Sequence, residues 1–167
     1  MSSPDEETSR RAPPWLRLIL RAPVFLYRCH LGWVVGERFL LLTHIGRRTG
    51  QRYETVLEVM GRTPDGGLIV MSGWGRQADW YRNIRDQTHV QITVGRDTSS
   101  AVHRTVPVVE AVEVLASYQH RNRLARPIIN RTLRALAGWR YDGTPASQRR
   151  LADQLPMVSF HIIAPRS

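Results

Sequence analysis

Lysine is absent from this chain. All 24 basic residues among its 167 are arginine, against 14 acidic ones, for a formal net charge of +10. Lysine codons are AT-rich, so the absence points to a GC-rich genome of the actinobacterial kind. The cationic excess draws anionic partners, and it leaves nucleic acid, an acidic membrane surface and a polyanionic cofactor as the classes to weigh. Cysteine is nearly absent as well. Cys29 stands alone, which excludes an internal disulfide, favours a reducing cytoplasm, and leaves no CxxC or His/Cys cluster of metal-ligand spacing. No metal is expected. No GxGxxG follows a strand, no GxxxxGK[ST] is present, and no GxSxG elbow occurs, so dinucleotide folds, P-loops and α/β-hydrolases lose their signatures. No internal repeat is visible. What remains is 42% hydrophobic and 23% charged residues, the composition of one globular domain with a real core.

The densest information lies in residues 40–58, LLLTHIGRRTGQRYETVLE. An apolar strand-like run ends in Gly46-Arg47-Arg48-Thr49-Gly50-Gln51-Arg52, and a second strand follows at once. The glycines let the backbone turn and approach a ligand closely. Arg47, Arg48 and Arg52 offer forked donors suited to phosphate and carboxylate. A second element follows: Val70-Met71-Ser72-Gly73-Trp74-Gly75, then Asp79-Trp80-Tyr81-Arg82-Asn83-Ile84. A strand runs into a glycine-broken loop, and a helix opens on Trp-Tyr-x-Asn.

The order of strand, basic glycine loop, strand, turn, strand, glycine loop and WYxN helix resembles the deazaflavin-dependent nitroreductase family. The resemblance covers residues 33–109, with a matching last strand near 157–163. It implies an α+β split β-barrel, of the flavin-reductase and pyridoxamine-oxidase kind, that uses coenzyme F420; FMN is the alternative, because split barrels also host flavins. F420 is a polyanion with a phosphodiester and a glutamate tail. The resemblance implies cofactor contacts at Arg47, Arg48, Thr49, Gly50, Arg52, Thr55, Val56, Met71, Ser72, Gly73, Ala78, Trp80, Tyr81 and Asn83. It also implies a substrate pocket lined by C-terminal tyrosines. Tyr118 and Tyr141 are the candidates here, although an ordinary packing role accords better with either residue type, with Ser72 near the ring as donor to a developing oxyanion. The chain departs from the family pattern in three places. Its loop reads Arg52-Tyr53 where Pro-Arg is common, it lacks the proline before Trp80-Tyr81, and its loop 72–80 is about two residues short.

Periodicity predicts strands at 37–45, 53–61, 68–73, 89–94, 100–109 and 157–163. Phe39, Leu41, Thr43 and Ile45 share one face of the first. Thr63-Pro64-Asp65-Gly66-Gly67 marks a tight turn. Helices are expected at 78–86, capped near Asp79, and at 110–122, 125–137 and 146–153, the last three forming an insertion over 110–153. His44 sits beside the basic loop, as a cofactor contact or, more in keeping with its strand position, as a packed and hydrogen-bonded histidine. Residues 1–12 read as a disordered tail, and 13–167 as a single domain. Residues 14–30 predict an amphipathic helix broken at Pro23. Arg17, Arg21 and Arg28 punctuate it, against both a signal peptide and a membrane span. Its apolar face either caps the barrel or rests on the inner face of the cell membrane through Trp15, Phe25 and Tyr27.

Three functions follow. The first is an F420-dependent oxidoreductase passing hydride to a quinone, enone or nitro compound. The second is a carrier of F420 or FMN without turnover. The third, a nucleic-acid barrel, is disfavoured because the strands carry few aromatics for base stacking. Partners are then a small-molecule substrate, no nucleic acid, and a monomeric or homodimeric state, with the protein cytoplasmic or peripheral to the membrane. The arginines of 121–140 would select an anionic substrate if that insertion forms a lid or wall.

Overall fold

The structure, a computed structural model, describes residues 38–163. The tail 1–12 and the helix expected at 14–30 lie outside the described residues. In chain order the elements are β1 (Phe39–Ile45), β2 (Arg52–Arg62), β3 (Leu68–Met71), α1 (Asp79–Ile84), β4 (Val90–Val94), β5 (Asp97–Thr105), α2 (Val108–Arg121), α3 (Arg126–Ala137), α4 (Pro145–Gln154) and β6 (Met157–Ile162), with 3-10 turns at Gly75–Gln77 and Arg123–Ala125. The six strands close in the order β1-β2-β3-β6-β5-β4, and every pairing is antiparallel.

Strand alternation sorts the core into two bodies. Leu40, Leu42 and His44 of β1 point inward, opposite Leu57, Thr55 and Tyr53 of β2. Phe39, Leu41, Thr43 and Ile45 therefore share the outer face. The interior is filled by Leu40, Leu42, Leu57, Val70, Ile92 and Phe160, together with Trp80, Tyr81 and Ile84 from α1. Full burial of such a side chain contributes about 1.5–3 kcal/mol. The second body lies outside the barrel, where Ile69 and Met157 meet Leu115, Tyr118, Leu133, Tyr141 and Leu151 of the helical layer. A bulge between Val59 and Gly61 gives β2 one extra residue against β3. It leaves Gly61 facing α2, where a Cβ would lie 3.2 Å from Val114.

The expected elements are present, with boundary shifts that have local causes. The third strand ends at Met71 rather than residue 73 because Ser72 and Gly75 close a turn, with Gly75 N donating to Ser72 O at 2.9 Å. The fifth starts at Asp97, directly after a Gly95-Arg96 hairpin in which Gly95 has φ 62°, and stops at Thr105 ahead of Pro107 at the head of α2. The cap expected near Asp79 is corrected. Ala78 holds the cap position with no side-chain bond, and Asp79 is the first helical residue.

Candidate functional site

The β1–β2 loop is built around two glycines. Gly46 N donates to Gln51 O and Gly50 N to Gly46 O, both at 2.8 Å. Gly50 takes a left-handed φ of 67°. A Cβ on Gly46 would come within 2.6 Å of both Thr49 Oγ1 and Tyr53 Cε2, so only glycine lets the loop fold down on the tyrosine ring. Thr49 Oγ1 in turn lies 3.2 Å from Tyr53 Oη and accepts from Gln51 N at 3.3 Å.

The three arginines do three different things. Arg47 turns back onto α1, its Nη1 donating to Asp79 Oδ1 at 3.0 Å and to Asn83 Oδ1 at 2.9 Å, while its backbone N–H also reaches Asn83 Oδ1 at 3.1 Å. Arg47 is thus a clamp that fixes the loop on the helix. Arg52 lies outward on β2, 3.4 Å from Gln91 Oε1 and 3.8 Å from Glu54. Arg48 is exposed at the loop tip, without an ion pair or hydrogen bond among the described residues. It is the arginine whose donors remain open to an anion.

Beneath the loop lies a network centred on His44, the packed and hydrogen-bonded histidine that its strand position suggested. Asn83 Nδ2 lies 3.2 Å from His44 Nδ1, and His44 Nε2 lies 3.3 Å from Thr55 Oγ1. With the amide donating, Nδ1 accepts and the proton sits on Nε2, as a neutral imidazole requires. Burial pushes the His44 pKa down, and Asp79 opposes it more weakly. Gln87 completes the frame. Its side chain accepts from Ile45 N at 3.1 Å and donates to Ile45 O at 2.9 Å and Asn83 O at 2.8 Å, capping the end of β1. One signal was available: Asp79, Asn83 and Gln87 recur at i, i+4 and i+8 along one side of the helical segment.

The depressed histidine has a measurable consequence. Unfolded, His44 takes a proton near its ordinary pKa of 6.5; folded, it resists. The unfolded state therefore binds more protons as pH falls, and stability rises with pH. This contribution is complete above about pH 6.5 and is lost as pH drops below it, at no more than about 1.4 kcal/mol per unit. Denaturant melts between pH 7.5 and 5 should show that slope in the wild type and a shallower one in His44→Gln.

The β3 end behaves differently from the expectation. Ser72 is fully buried, and its Oγ donates to Gly75 O at 2.7 Å, while its backbone N donates to Pro156 O at 2.9 Å. The hydroxyl holds the turn instead of facing an open groove. Ser72→Ala is expected to cost about 1–3 kcal/mol of stability and to leave turnover per folded molecule unchanged, checked by thermal melts alongside an oxidation assay. Met71 packs against the helical layer, and a Cβ on Gly73 would lie 3.4 Å from Leu136 of α3. Trp80 and Tyr81 are interior core residues, in edge contact at 5.9 Å between ring centroids, and Ala78 packs with them. Thr55 points inward to His44, whereas Val56, its neighbour on the strand, faces out opposite Leu41.

Tyr118 and Tyr141 do not join the loop. Tyr118 donates to Glu58 Oε1 at 2.6 Å, at the far end of β2, and burial followed by the Glu58 carboxylate raises its pKa. Tyr141 is fully buried in the helical layer, where Gln119 Nε2 donates to its oxygen at 2.9 Å; burial raises its pKa too. Both are packed in the α2–α4 layer, the ordinary packing role weighed for them as the alternative to lining a pocket. The structure thus gathers Arg47, Arg48, Thr49, Gly50, Arg52, Thr55 and Asn83 at one end of the barrel and leaves the tyrosines elsewhere.

A loop with an open guanidinium, a left-handed glycine and a backbone pinned from below fits the phosphodiester and carboxylates of F420. Among the described residues no group of three His, Cys, Asp or Glu side chains is placed to hold a metal.

A closed six-strand antiparallel barrel with helices on its flank defines a split β-barrel. HutZ, a heme storage protein from Vibrio cholerae, has this fold at TM-score 0.52 and 14% identity, over 80% of this chain and 87% of its own. A protein of unknown function from Agrobacterium tumefaciens matches at TM-score 0.50 and 15% identity over 85% of this chain, which spans only 55% of that protein's length. An F420-H2 dependent reductase, FDR-A, matches at TM-score 0.45 and 14% identity, over 75% of this chain and 96% of its own. At these identities the likeness is one of fold. No curated protein matches the sequence significantly. Residues 21–128, more than half of the chain, match the F420H(2)-dependent quinone reductase family, and the chain belongs to it.

Proposed function

We propose that this protein reduces a quinone with hydride drawn from F420H2, and that the loop 46–52 anchors the anionic tail of the cofactor. The observation that supports this reading is the division of labour in the loop. Arg47 is consumed in holding the backbone, which leaves Arg48 open at the tip. Arg52 stands exposed at the start of β2 as a second cation. When bound, F420H2 would supply one hydride and one proton to the quinone, leaving oxidised F420 and a hydroquinone. The chain's part is to bind, orient and keep water from the ring. Thr49, Gly50 and Thr55 flank the anchor. Ala78, Trp80 and Tyr81 belong to the barrel core, Met71 and Gly73 face the helical layer, and Val56 presents the outer face of β2.

The test has two stages. Fluorescence titration with F420 and with FMN should give tight binding to the first and weak binding to the second. Oxidation of F420H2, followed by absorbance, should proceed with menadione and more slowly with cyclohexenone or a nitroimidazole. Preference for FMN would overturn the cofactor reading, and preference for the nitro compound the acceptor reading. A carrier without turnover is the second reading. It is favoured by one observation: the hydroxyls of Ser72 and Tyr118 are hydrogen-bonded within the protein, and Tyr141 is buried in the helical layer. Tight F420 binding with no oxidation across the acceptor panel would establish it.

A further inference from the structure

We infer that the ridge formed by Leu124, Pro127 and Ile128, where the Arg123–Ala125 turn runs into α3, is a docking surface for an anionic lipid bilayer. Part of the α3 surface is apolar and is left uncovered by the described core. Leu133 and Ala137 of α3 are buried, and Ile129 and Leu136 pack against the same core, which accounts for the helix's inner face. Leu124 and Ile128 point the other way, 94% and 65% exposed, with exposed Pro127 and Ala135 beside them. Residues 124, 128 and 135 fall on one side of a helical path. Two large aliphatic side chains at the apex of an exposed helical corner mark a contact surface when they adjoin rather than scatter.

Charge selects the partner. Arg121, Arg123, Arg126, Arg131, Arg134 and Arg140 lie in the segment that carries the ridge, and no acidic residue occurs between Glu113 and Asp142 in sequence. Arg121 donates to Met60 O at 2.6 Å and Arg134 to Tyr141 O at 2.8 Å, bonds to neutral carbonyls that leave the positive charge uncompensated. Aliphatic residues at the crest with arginines on the flanks match an interface whose headgroups are negative and whose next layer is apolar. Arginine stems also suit that depth, since their methylenes can lie in the boundary with the guanidinium among phosphates. A nucleic acid would meet the arginines but would leave Leu124 and Ile128 against phosphates, with no exposed aromatic on the ridge for a base to stack on. No described helix is long and apolar enough to cross a membrane, so the contact would be peripheral.

The ridge of Leu124, Pro127 and Ile128 stands at the C-terminal end of the family-matched residues 21–128. It backs onto the β3–α1 loop through the contact that Leu136 makes at Gly73. A bilayer docked there would bring a lipid-dissolved acceptor close to the barrel. That last step rests on the proposed reductase reading; the docking itself does not.

The experiment is co-sedimentation of the full chain with vesicles, one set containing phosphatidylglycerol in phosphatidylcholine and the other phosphatidylcholine alone. The wild type should partition onto the anionic vesicles, less onto the neutral ones, and less as salt rises. Leu124→Asp/Ile128→Asp should lose about tenfold or more of that partition, and Leu124→Ser/Ile128→Ser should lose most of it too. Both pairs are exposed, and unchanged thermal melts would verify the fold. Three results would overturn the inference: no partition by the wild type, undiminished partition by the aspartate pair, or a preference for an RNA oligomer that neither pair alters. F420 titration of the same variants keeps the two readings apart, because cofactor affinity should not change.

Discussion

Replacing Arg48 by alanine is expected to weaken F420 binding by about 1.5–3 kcal/mol, roughly ten- to a hundredfold, with little change in thermal stability. The guanidinium is exposed and has no partner among the described residues, so its loss leaves no buried group unsatisfied. Arg52→Ala should lose less, because that side chain already shares its charge with Gln91 and Glu54. Arg47→Ala should behave differently from both. It removes the bonds to Asp79 and Asn83, so stability and cofactor affinity fall together. Titrations at rising salt should show the Arg48 contribution shrinking. If the Arg48/Arg52 double alanine variant binds F420 as the wild type does, the anchor assignment is wrong.

The second large effect is structural. Tyr141→Ala should destabilise the fold by about 3–5 kcal/mol, because it empties a fully buried aromatic site between α2, α3 and α4. Tyr141→Phe should cost only about 1 kcal/mol, the hydrogen bond from Gln119 being the main loss. Turnover per folded molecule should survive in the phenylalanine variant. Chemical denaturation measures the first claim, and an F420H2 oxidation assay the second. Loss of turnover in a well-folded Tyr141→Phe would return this tyrosine to the substrate pocket.

The two tyrosines show where sequence reasoning reaches its limit. Strands and turns are local, and alternation or a Thr-Pro-Asp-Gly-Gly run states them directly. The loop of Gly46 to Arg52 was legible for the same reason, since its chemistry and its geometry sit in consecutive residues. The position of Tyr141 depends on how three helices stack on the barrel wall, and nothing near residue 141 encodes that. The Arg47 clamp is intermediate. Its partners are 32 and 36 residues away, yet the i, i+4 spacing of Asp79 and Asn83 was visible. What misled was residue type: three adjacent cations read as three ligand donors, although one already had its anion in the fold. Ser72 failed likewise, because a serine at a strand end satisfies a turn as readily as it faces a groove.

Closure of the barrel, β4 against β1, also constrains how copies of this chain can meet. Open sheets offer unpaired N–H and C=O groups along their margins, and those margins recruit strands from neighbours. Here every described strand has a partner on both sides, so strand addition finds no template among the described residues. A homodimer formed by the described residues would use side-chain surfaces, and its contacts would be sought on the outward face of β1 and β2 or on the helical layer. Soluble fibrillar by-products during expression should be scarce for the same reason, even at concentrations that favour association.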